Sequence, residues 1–457
     1  MTGGFELRGK HVLVIGLART GIATARFCAE HGATVTATDT HSESELGAHP
    51  ETALPHQDLV IPSPGVLSDA PLLRSARGKN ITVWSEIELA DRFLDGRLIG
   101  ITGSNGKTTT TSLVHHILRV AGFSSMVAGN IGTPLISRVA LSSADTITVA
   151  ELSSFQLELI ETFHADIAVL LNLTPDHLDR HKTMEAYAAA KARLFENQTK
   201  SDFAVLNADD PAATRLAPKR PQLYWFSRKR EVLQGAYLRG EEIVFRTSKQ
   251  VEVLLKREQI SLPGAHNLEN VLAAVTAARL ERVPVSAIAE AVRTFPGVEH
   301  RLEFVAEIGG VRYYNDSKAT NVDAALKALE SFPGRVLIIL GGKDKDSDYS
   351  LLQPALRERS VLALLIGAAA EKIEQQITGS VALERAGTLE RAVEIASQAA
   401  RRGDVVLLAP ACASFDQFEN YEHRGRVFRE LIKQREQASA SDAAKLEGKA
   451  NKSAETA

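Results

Sequence analysis

At 457 residues the chain exceeds what one hydrophobic core can hold, since cores stop growing near ~250–300 residues, so two or three domains are expected. A composition of 44% hydrophobic and 24% charged residues with a net charge of −3 is ordinary for a soluble globular protein and argues against nucleic acid or an anionic membrane as partner. Two cysteines, Cys28 and Cys412, exclude a disulfide framework. No apolar run approaches the ~20 residues of a membrane span and the N-terminal residues lack a signal-peptide pattern, so a cytoplasmic enzyme is expected.

In chain order, an apolar run at 11–16 ends in glycine, a helical stretch covers 19–30, and a second strand at 33–38 ends at Asp39. Further strands at 58–61, running into Ser63-Pro64-Gly65, and near 81–84 complete a strand–glycine turn–helix–strand–acid order. Residues 1–97 therefore read as a Rossmann-like domain. Residues 98–298 read as a central P-loop ATPase-like domain with a mostly parallel sheet. Its strands are expected at 98–102, 125–128, 145–150, 166–171 and 203–206, with a small hairpin at 242–246 and 251–255 and a closing helix at 267–279. Residues 299–436 read as a second Rossmann-like domain, with strands near 302–306, 311–314, 335–340, 361–366 and 404–409. The segment 437–457 has almost no large apolar residue and is expected to lack structure. The fold class is α/β with three domains.

The strand 98–102 delivers Gly103-Ser104-Asn105-Gly106-Lys107-Thr108-Thr109 onto a helix N-terminus. Gly103 and Gly106 let backbone N–H groups approach phosphate oxygens, and the helix end adds a positive dipole. Lys107 supplies a point charge for the outer phosphates, and Thr108 a hydroxyl for Mg²⁺. A strict Walker spacing needs glycine at 101, where this chain has Ile101, so the loop is a variant.

This variant loop resembles that of the Mur ligase and folylpolyglutamate synthetase superfamily. The runs Gly129-Asn130-Ile131-Gly132, Glu151 to Gln156, Asp176-His177-Leu178-Asp179-Arg180, Asn315 to Asn321 and Pro410 to Phe418 are similar to those of its D-glutamate-adding members, in family order from about residue 10 to 432. The resemblance implies ATP-dependent ligation of D-glutamate to UDP-N-acetylmuramoyl-L-alanine in peptidoglycan synthesis. An acyl phosphate on the alanyl carboxylate would be the intermediate, and the enzyme is expected to be a monomer. Two Mg²⁺ sites are implied, from Thr108 and Glu151 and from His177 and Lys191, the last as a carbamate made from CO₂ or bicarbonate. ATP would be bound by residues 103–109, by Asn270, and by Arg301 and Asp316 from the third domain, with domain closure completing the site. The UDP-substrate would meet Arg19, Thr20, Asp39, Thr40, Ser63, Pro64, Gly65, Asn130 and His177. D-Glutamate would meet Lys318, Thr320, Lys345, Ser414, Phe415 and Tyr421, a set of cations and hydroxyls suited to a dicarboxylate. Lys343 lies close enough in sequence to compete with Lys345.

Each residue also has a bland alternative. Glu151 could be a solvated acid at a helix start, Lys191 a surface lysine, and Asn267 and Asn270 helix caps. The first-domain residues could be turn chemistry alone. Gly16-Leu17-Ala18-Arg19-Thr20-Gly21 resembles a dinucleotide fingerprint with Ala18 replacing the middle glycine, so a nicotinamide enzyme is a rival reading. No affinity for NAD(P) is expected there.

Overall fold

The computed structural model describes residues 5–39, 53–130, 132–260, 262 and 264–454, and the side chains among them except at 179 and beyond 438. The chain divides into two compact units, one of Met1–Ser261 with Leu268–Phe295 and one of Leu262–Asn267 with Pro296–Ala457.

The first unit holds two sheets. The N-terminal sheet contains β1 (His11–Ile15), β2 (Thr34–Thr38), β3 (Leu59–Pro62) and β4 (Thr82–Val83) in the order β2-β1-β3-β4, all parallel. Helix Arg19–Glu30 crosses from β1 to β2. The second sheet contains β5 (Arg97–Thr102), β6 (Ser125–Gly129), β7 (Ile147–Glu151), β8 (Ile167–Leu170) and β9 (Phe203–Asn207), followed by β10 (Gln222–Ser227), β11 (Gly235–Arg239), β12 (Glu242–Arg246) and β13 (Val251–Lys256). Its order is β13-β12-β11-β10-β9-β8-β5-β7-β6, and only the pairs joining β11, β12 and β13 are antiparallel. The expected hairpin at 242–256 is thus present, but it extends a nine-stranded sheet through β10 and β11, which the sequence reading did not mark. Strands β7 and β8 are buried along their whole length, as strands covered on both faces must be.

The two sheets meet at the limit expected near residue 97, and one apolar cluster spans it. Val12, Val14, Leu59 and Ile61 of the first sheet share that cluster with Leu98, Ala150, Ala168 and Leu170 of the second. The short helix Glu86–Asp91 carries a polar clasp across the same boundary. Glu88, with no exposed surface, accepts the N–H groups of Glu161, Thr162 and Phe163 and the Thr162 hydroxyl, and Arg92 reaches the same carboxylate. These bonds hold the Glu88 carboxyl below its ordinary pKa although burial pushes the other way.

The second unit holds one sheet of β14 (Glu303–Ile308), β15 (Val311–Asn315), β16 (Val336–Gly341), β17 (Ser360–Ile366), β18 (Leu383–Gly387) and β19 (Val405–Leu408). The order is β14-β15-β19-β16-β17-β18, parallel except for the β14–β15 hairpin. The last helix is Tyr421–Ala454, which runs through the segment expected to lack structure. Its Ala, Lys and Glu content lacks large apolar groups to bury, but those residues favour helix intrinsically. Its buried anchors, Phe428 and Ile432, lie in the first turns.

Candidate functional site

Parallel strands deliver their carboxyl ends to one edge, and there the second sheet gathers its polar residues. Strand β5 runs through Ile101, paired with Glu151 of β7 and Val169 of β8, so the position where a strict Walker motif has glycine is buried strand here. The loop follows, and Lys107–Val120 is helical as expected. Gly106 has φ +87°, and a Cβ there would overlap Oδ1 of Asn270. Asn105 N–H donates to Oδ1 of Asn172 at 2.9 Å, and Asn172 Nδ2 donates back to Asn105 O at 3.0 Å. Ser104 is buried, donating to Thr174 O and sharing a hydrogen bond with the Tyr187 hydroxyl at 3.1 Å. The amine of Lys107 donates to Gly103 O and Ser104 O, both at 2.9 Å, and so folds over the loop. Thr108 and Thr109 are buried in the first helical turn.

Glu151 closes β7 and is 3% exposed, so it is no solvated acid; Nδ2 of Asn130, just past β6, donates to its Oε1 at 2.9 Å. Lys191 is 1% exposed on helix Met184–Ala192, which removes the surface-lysine reading. Its amine donates to Gly103 O at 2.9 Å and lies 4.7 Å from the centre of the Tyr187 ring. Burial, with the Lys107 charge adding to it, drives the Lys191 amine far below the ordinary lysine range, against the pull of Asp176 and Glu151. His177 is half exposed, in left-handed backbone (φ +52°), 3.7 Å from Asp176 and edge-on to Phe155. Among the described residues, no three His, Cys, Asp or Glu side chains form a cluster able to hold a metal. Asn270 reaches Thr110 Oγ1 at 3.4 Å and abuts Gly106; Asn267 is buried. Helix Ala265–Leu280 starts before both asparagines, so neither caps it.

In the first sheet the glycine turn is held by its own neighbours. Asp39 accepts the N–H of Leu17 at 2.9 Å, and the Ser63 hydroxyl donates to Gly16 O at 2.8 Å. The turn-chemistry alternative thus accounts for contacts at both residues. A Cβ at Gly21 would overlap Gly16 O, which explains the last glycine of that run. Arg19 and Thr20 open helix Arg19–Glu30, whose N-cap, Ala18, offers no side-chain bond. Arg19 donates to Gly132 O at 2.7 Å. Pro64 accepts from Arg180; Gly65 follows in the same turn; Thr40 lies outside the described residues.

In the second unit, loops after β15, β16 and β19 come together. Asp316, following β15, is buried and accepts the N–H of Leu302 at 3.2 Å; burial raises its carboxyl to about 6, and Arg301 and Lys318 pull it back. The Lys318 amine sits 5.5 Å from the centre of the Tyr421 ring. Thr320 is half-buried beside it, and Ser414 is buried, its carbonyl accepting from Phe418 N–H. Phe415 is 67% exposed. Lys343 and Lys345 are both exposed, but the Lys343 backbone is engaged with Ala413 by two hydrogen bonds, and Asp344 between them is fixed by Lys372 and Tyr349.

Sequence reasoning missed the residues that act through others. Arg424, with no exposed surface, donates to Ser317 Oγ and O (both 2.9 Å) and to Cys412 O at 3.1 Å, stitching the Asn315–Asn321 run to the Pro410–Phe418 run. Tyr187 and Asn172, which hydrogen-bond Ser104 and Asn105 of the loop, carry no signal beyond residue type. Arg180 lies in the Asp176–Arg180 run, where residue type alone gives it no partner.

Comparison with known proteins agrees across the chain. Residues 10–85 match the family model for the Mur ligase MurD-like N-terminal domain, 101–278 that for the Mur ligase middle domain, and 300–412 that for the Mur ligase glutamate ligase domain. The UDP-N-acetylmuramoylalanine–D-glutamate ligase of Koribacter versatilis (strain Ellin345) is 52% identical over 445 residues, covering 94% of this chain and 98% of that protein. The protein of that name from Pelotomaculum thermopropionicum is 44% identical over 442 residues, 93% of this chain and 97% of its own length. The fold is shared with the UDP-N-acetylmuramate-alanine ligase MurC of Thermotoga maritima (TM-score 0.60, 19% identity, 93% of this chain and 99% of that one). It is also shared with the MurF ligase of Thermotoga maritima solved with ADP (TM-score 0.60, 18% identity, 94% and 96%). The chain belongs to the Mur ligase family and is a ligase of that family.

Proposed function

We propose that this chain joins D-glutamate to UDP-N-acetylmuramoyl-L-alanine in the cytoplasm, with cleavage of ATP to ADP and phosphate. The observation that carries the chemistry is the buried amine of Lys191, 2.9 Å from Gly103 O of the phosphate loop. The substrate assignment is supported by relatives carrying that activity in their names at 44–52% identity over nearly the whole chain.

Lys107 and the N–H groups of residues 103–109 hold the ATP phosphates, and the alanyl carboxylate attacks the γ-phosphorus, breaking its bond to the β-phosphate oxygen and releasing ADP. The acyl phosphate formed is attacked by the D-glutamate amine; phosphate leaves, and the amine gives up its proton. Several anionic groups must meet, so cations are required. Glu151 and the Thr108 hydroxyl would hold one Mg²⁺, His177 and Lys191 a second, and the metal supplies charge neutralisation on the phosphates. The residues fit this role with one addition. Lys191 as an ammonium repels a metal, but an amine driven toward its neutral form can add CO₂ and become an anionic carbamate. Asn130, which fixes one Glu151 oxygen, faces the substrate in this reading. Asn270, Arg301 and Asp316 serve the nucleotide, and Arg19, Asp39 and Ser63-Pro64-Gly65 serve the UDP end. Lys318, Thr320, Lys345, Ser414, Phe415 and Tyr421 serve D-glutamate. Lys343, whose backbone pairs with Ala413 next to Ser414, is the competing cation for Lys345.

The test is phosphate release with each reactant omitted in turn. Strict dependence on both UDP-N-acetylmuramoyl-L-alanine and D-glutamate is expected. Turnover with L-lysine, meso-diaminopimelate or folate in place of either would overturn the assignment.

A further inference from the structure

Arg180 makes more polar contacts across the two sheets of the first unit than the proposed chemistry uses. Its side chain is 9% exposed. One terminal nitrogen donates to Pro64 O at 2.7 Å; the other donates to Val66 O at 3.0 Å and to Glu158 Oε2 at 2.8 Å. The guanidinium carbon lies 4.0 Å from the centre of the Phe155 ring, and the His177 ring meets the same ring in an edge arrangement, with centroids 4.9 Å apart. Glu158 is itself shared with His181, whose other ring nitrogen bonds Ser154 Oγ at 2.9 Å. The two carbonyls belong to the turn after β3, and His177 lies three residues before Arg180. A planar fork with five donors can hold two carbonyls and a carboxylate at once; an ammonium cannot copy that geometry.

We propose that Arg180 is a positioning residue that sets the Ser63–Val66 turn for the nucleotide end of the substrate and, through Phe155, sets the ring of His177. The inference rests on the reading above, in which that turn receives the UDP group and His177 serves a metal. A substrate docked on the turn then finds His177 already oriented, and binding at one end of a long substrate is tied to readiness at the other. Arg180 touches no reacting atom in this scheme.

Equilibrium binding of UDP-N-acetylmuramoyl-L-alanine and steady-state kinetics of the full chain test it with three variants. Arg180→Lys should weaken binding of the UDP-substrate about tenfold or more, the scale of one lost charge-assisted hydrogen bond, with KM for ATP and D-glutamate within about twofold. Phe155→Leu should leave that binding unchanged and instead lower kcat and raise the Mg²⁺ concentration needed for half-maximal rate. Glu158→Gln is the second route should Arg180→Lys fold poorly, and it should move UDP-substrate affinity in the same direction. Unchanged UDP-substrate affinity in Arg180→Lys, or equal loss for all three substrates, overturns the inference, as does a Phe155→Leu variant with wild-type Mg²⁺ dependence. A wild-type chain that does not bind the UDP-substrate would instead overturn the functional reading.

Discussion

The amine of Lys191 donates to the carbonyl oxygen of Gly103 at 2.9 Å, although 88 residues separate them in sequence. Two lysines, 107 and 191, therefore both donate to the carbonyl of Gly103, and their mutual repulsion adds to burial in driving Lys191 toward the neutral amine. Neutral amines, not ammonium ions, add CO₂.

Lys191 should accordingly carry a labile adduct of ~44 Da in bicarbonate buffer, detectable by intact mass or by NMR with labelled bicarbonate. Lys191→Arg should lose about a hundredfold or more in turnover, the scale of losing one preorganised electrostatic group. A wild-type rate indifferent to exhaustive CO₂ removal would reject the carbamate.

Lys107→Ala should lower phosphate release by about a hundredfold to a thousandfold while leaving the thermal midpoint close to wild type. Its amine donates to two carbonyls of its own loop, contacts local to that loop. Retained turnover would eliminate the loop as the phosphate site.

Gly106→Ala places a methyl group onto Asn270 Oδ1 in left-handed backbone. Both effects strain the loop, so ATP affinity measured by nucleotide titration should fall at least about tenfold, with a stability loss on the order of 1–3 kcal/mol. An unchanged ATP affinity would mean that the loop conformation described here is not the binding one.

Glu86 is buried and its Oε1 accepts the N–H of Ile136 at 2.6 Å. Burial raises its carboxyl to about 7, against the lowering effect of N–H donors from Ile136 and Leu135. An unfolded chain releases this proton near the ordinary value of 4.5, before the folded chain does. Stability from this group is therefore fully present below about pH 4.5, declines as pH rises to about 7, and is flat beyond. Glu86→Gln should match wild type at pH 4.5 and exceed it at pH 8 by on the order of 3 kcal/mol in denaturant unfolding. A difference that does not change with pH would contradict it.

Arg424→Leu should cost about 3 kcal/mol, because the carbonyls of Ser317 and Cys412 lose a charged donor in a dry interior. Arg424→Lys should fold better yet raise KM for D-glutamate with KM for ATP little changed, since the two loops it joins carry Lys318, Thr320 and Ser414. Equal effects on both substrates would make Arg424 a purely structural residue.

The sequence alone determined the elements that depend on local pattern. The order strand, glycine turn, helix at 98–120 is dictated by an apolar run, the backbone freedom of Gly103 and Gly106, and the apolar stripe Leu113, Val114, Ile117 and Leu118 at helical spacing beyond. Alternation of such units is enough to require parallel sheets, and residue types in the quoted motifs were enough to point to the family. The tertiary structure decided what depends on burial and on distant partners. Lys191 looks like any helical lysine until β5 and its loop enclose it; Asn270 looks like a cap until Gly106 is found against its oxygen. The packing across the limit expected near 97 was not legible, because apolar residues of two sheets share one cluster and no local pattern records which apolar faces meet. Strand β10, strand β18 and the Arg180 and Arg424 bridges escaped for the same reason: pairing partners and desolvation are properties of the folded chain, set by contacts between residues tens to more than a hundred positions apart.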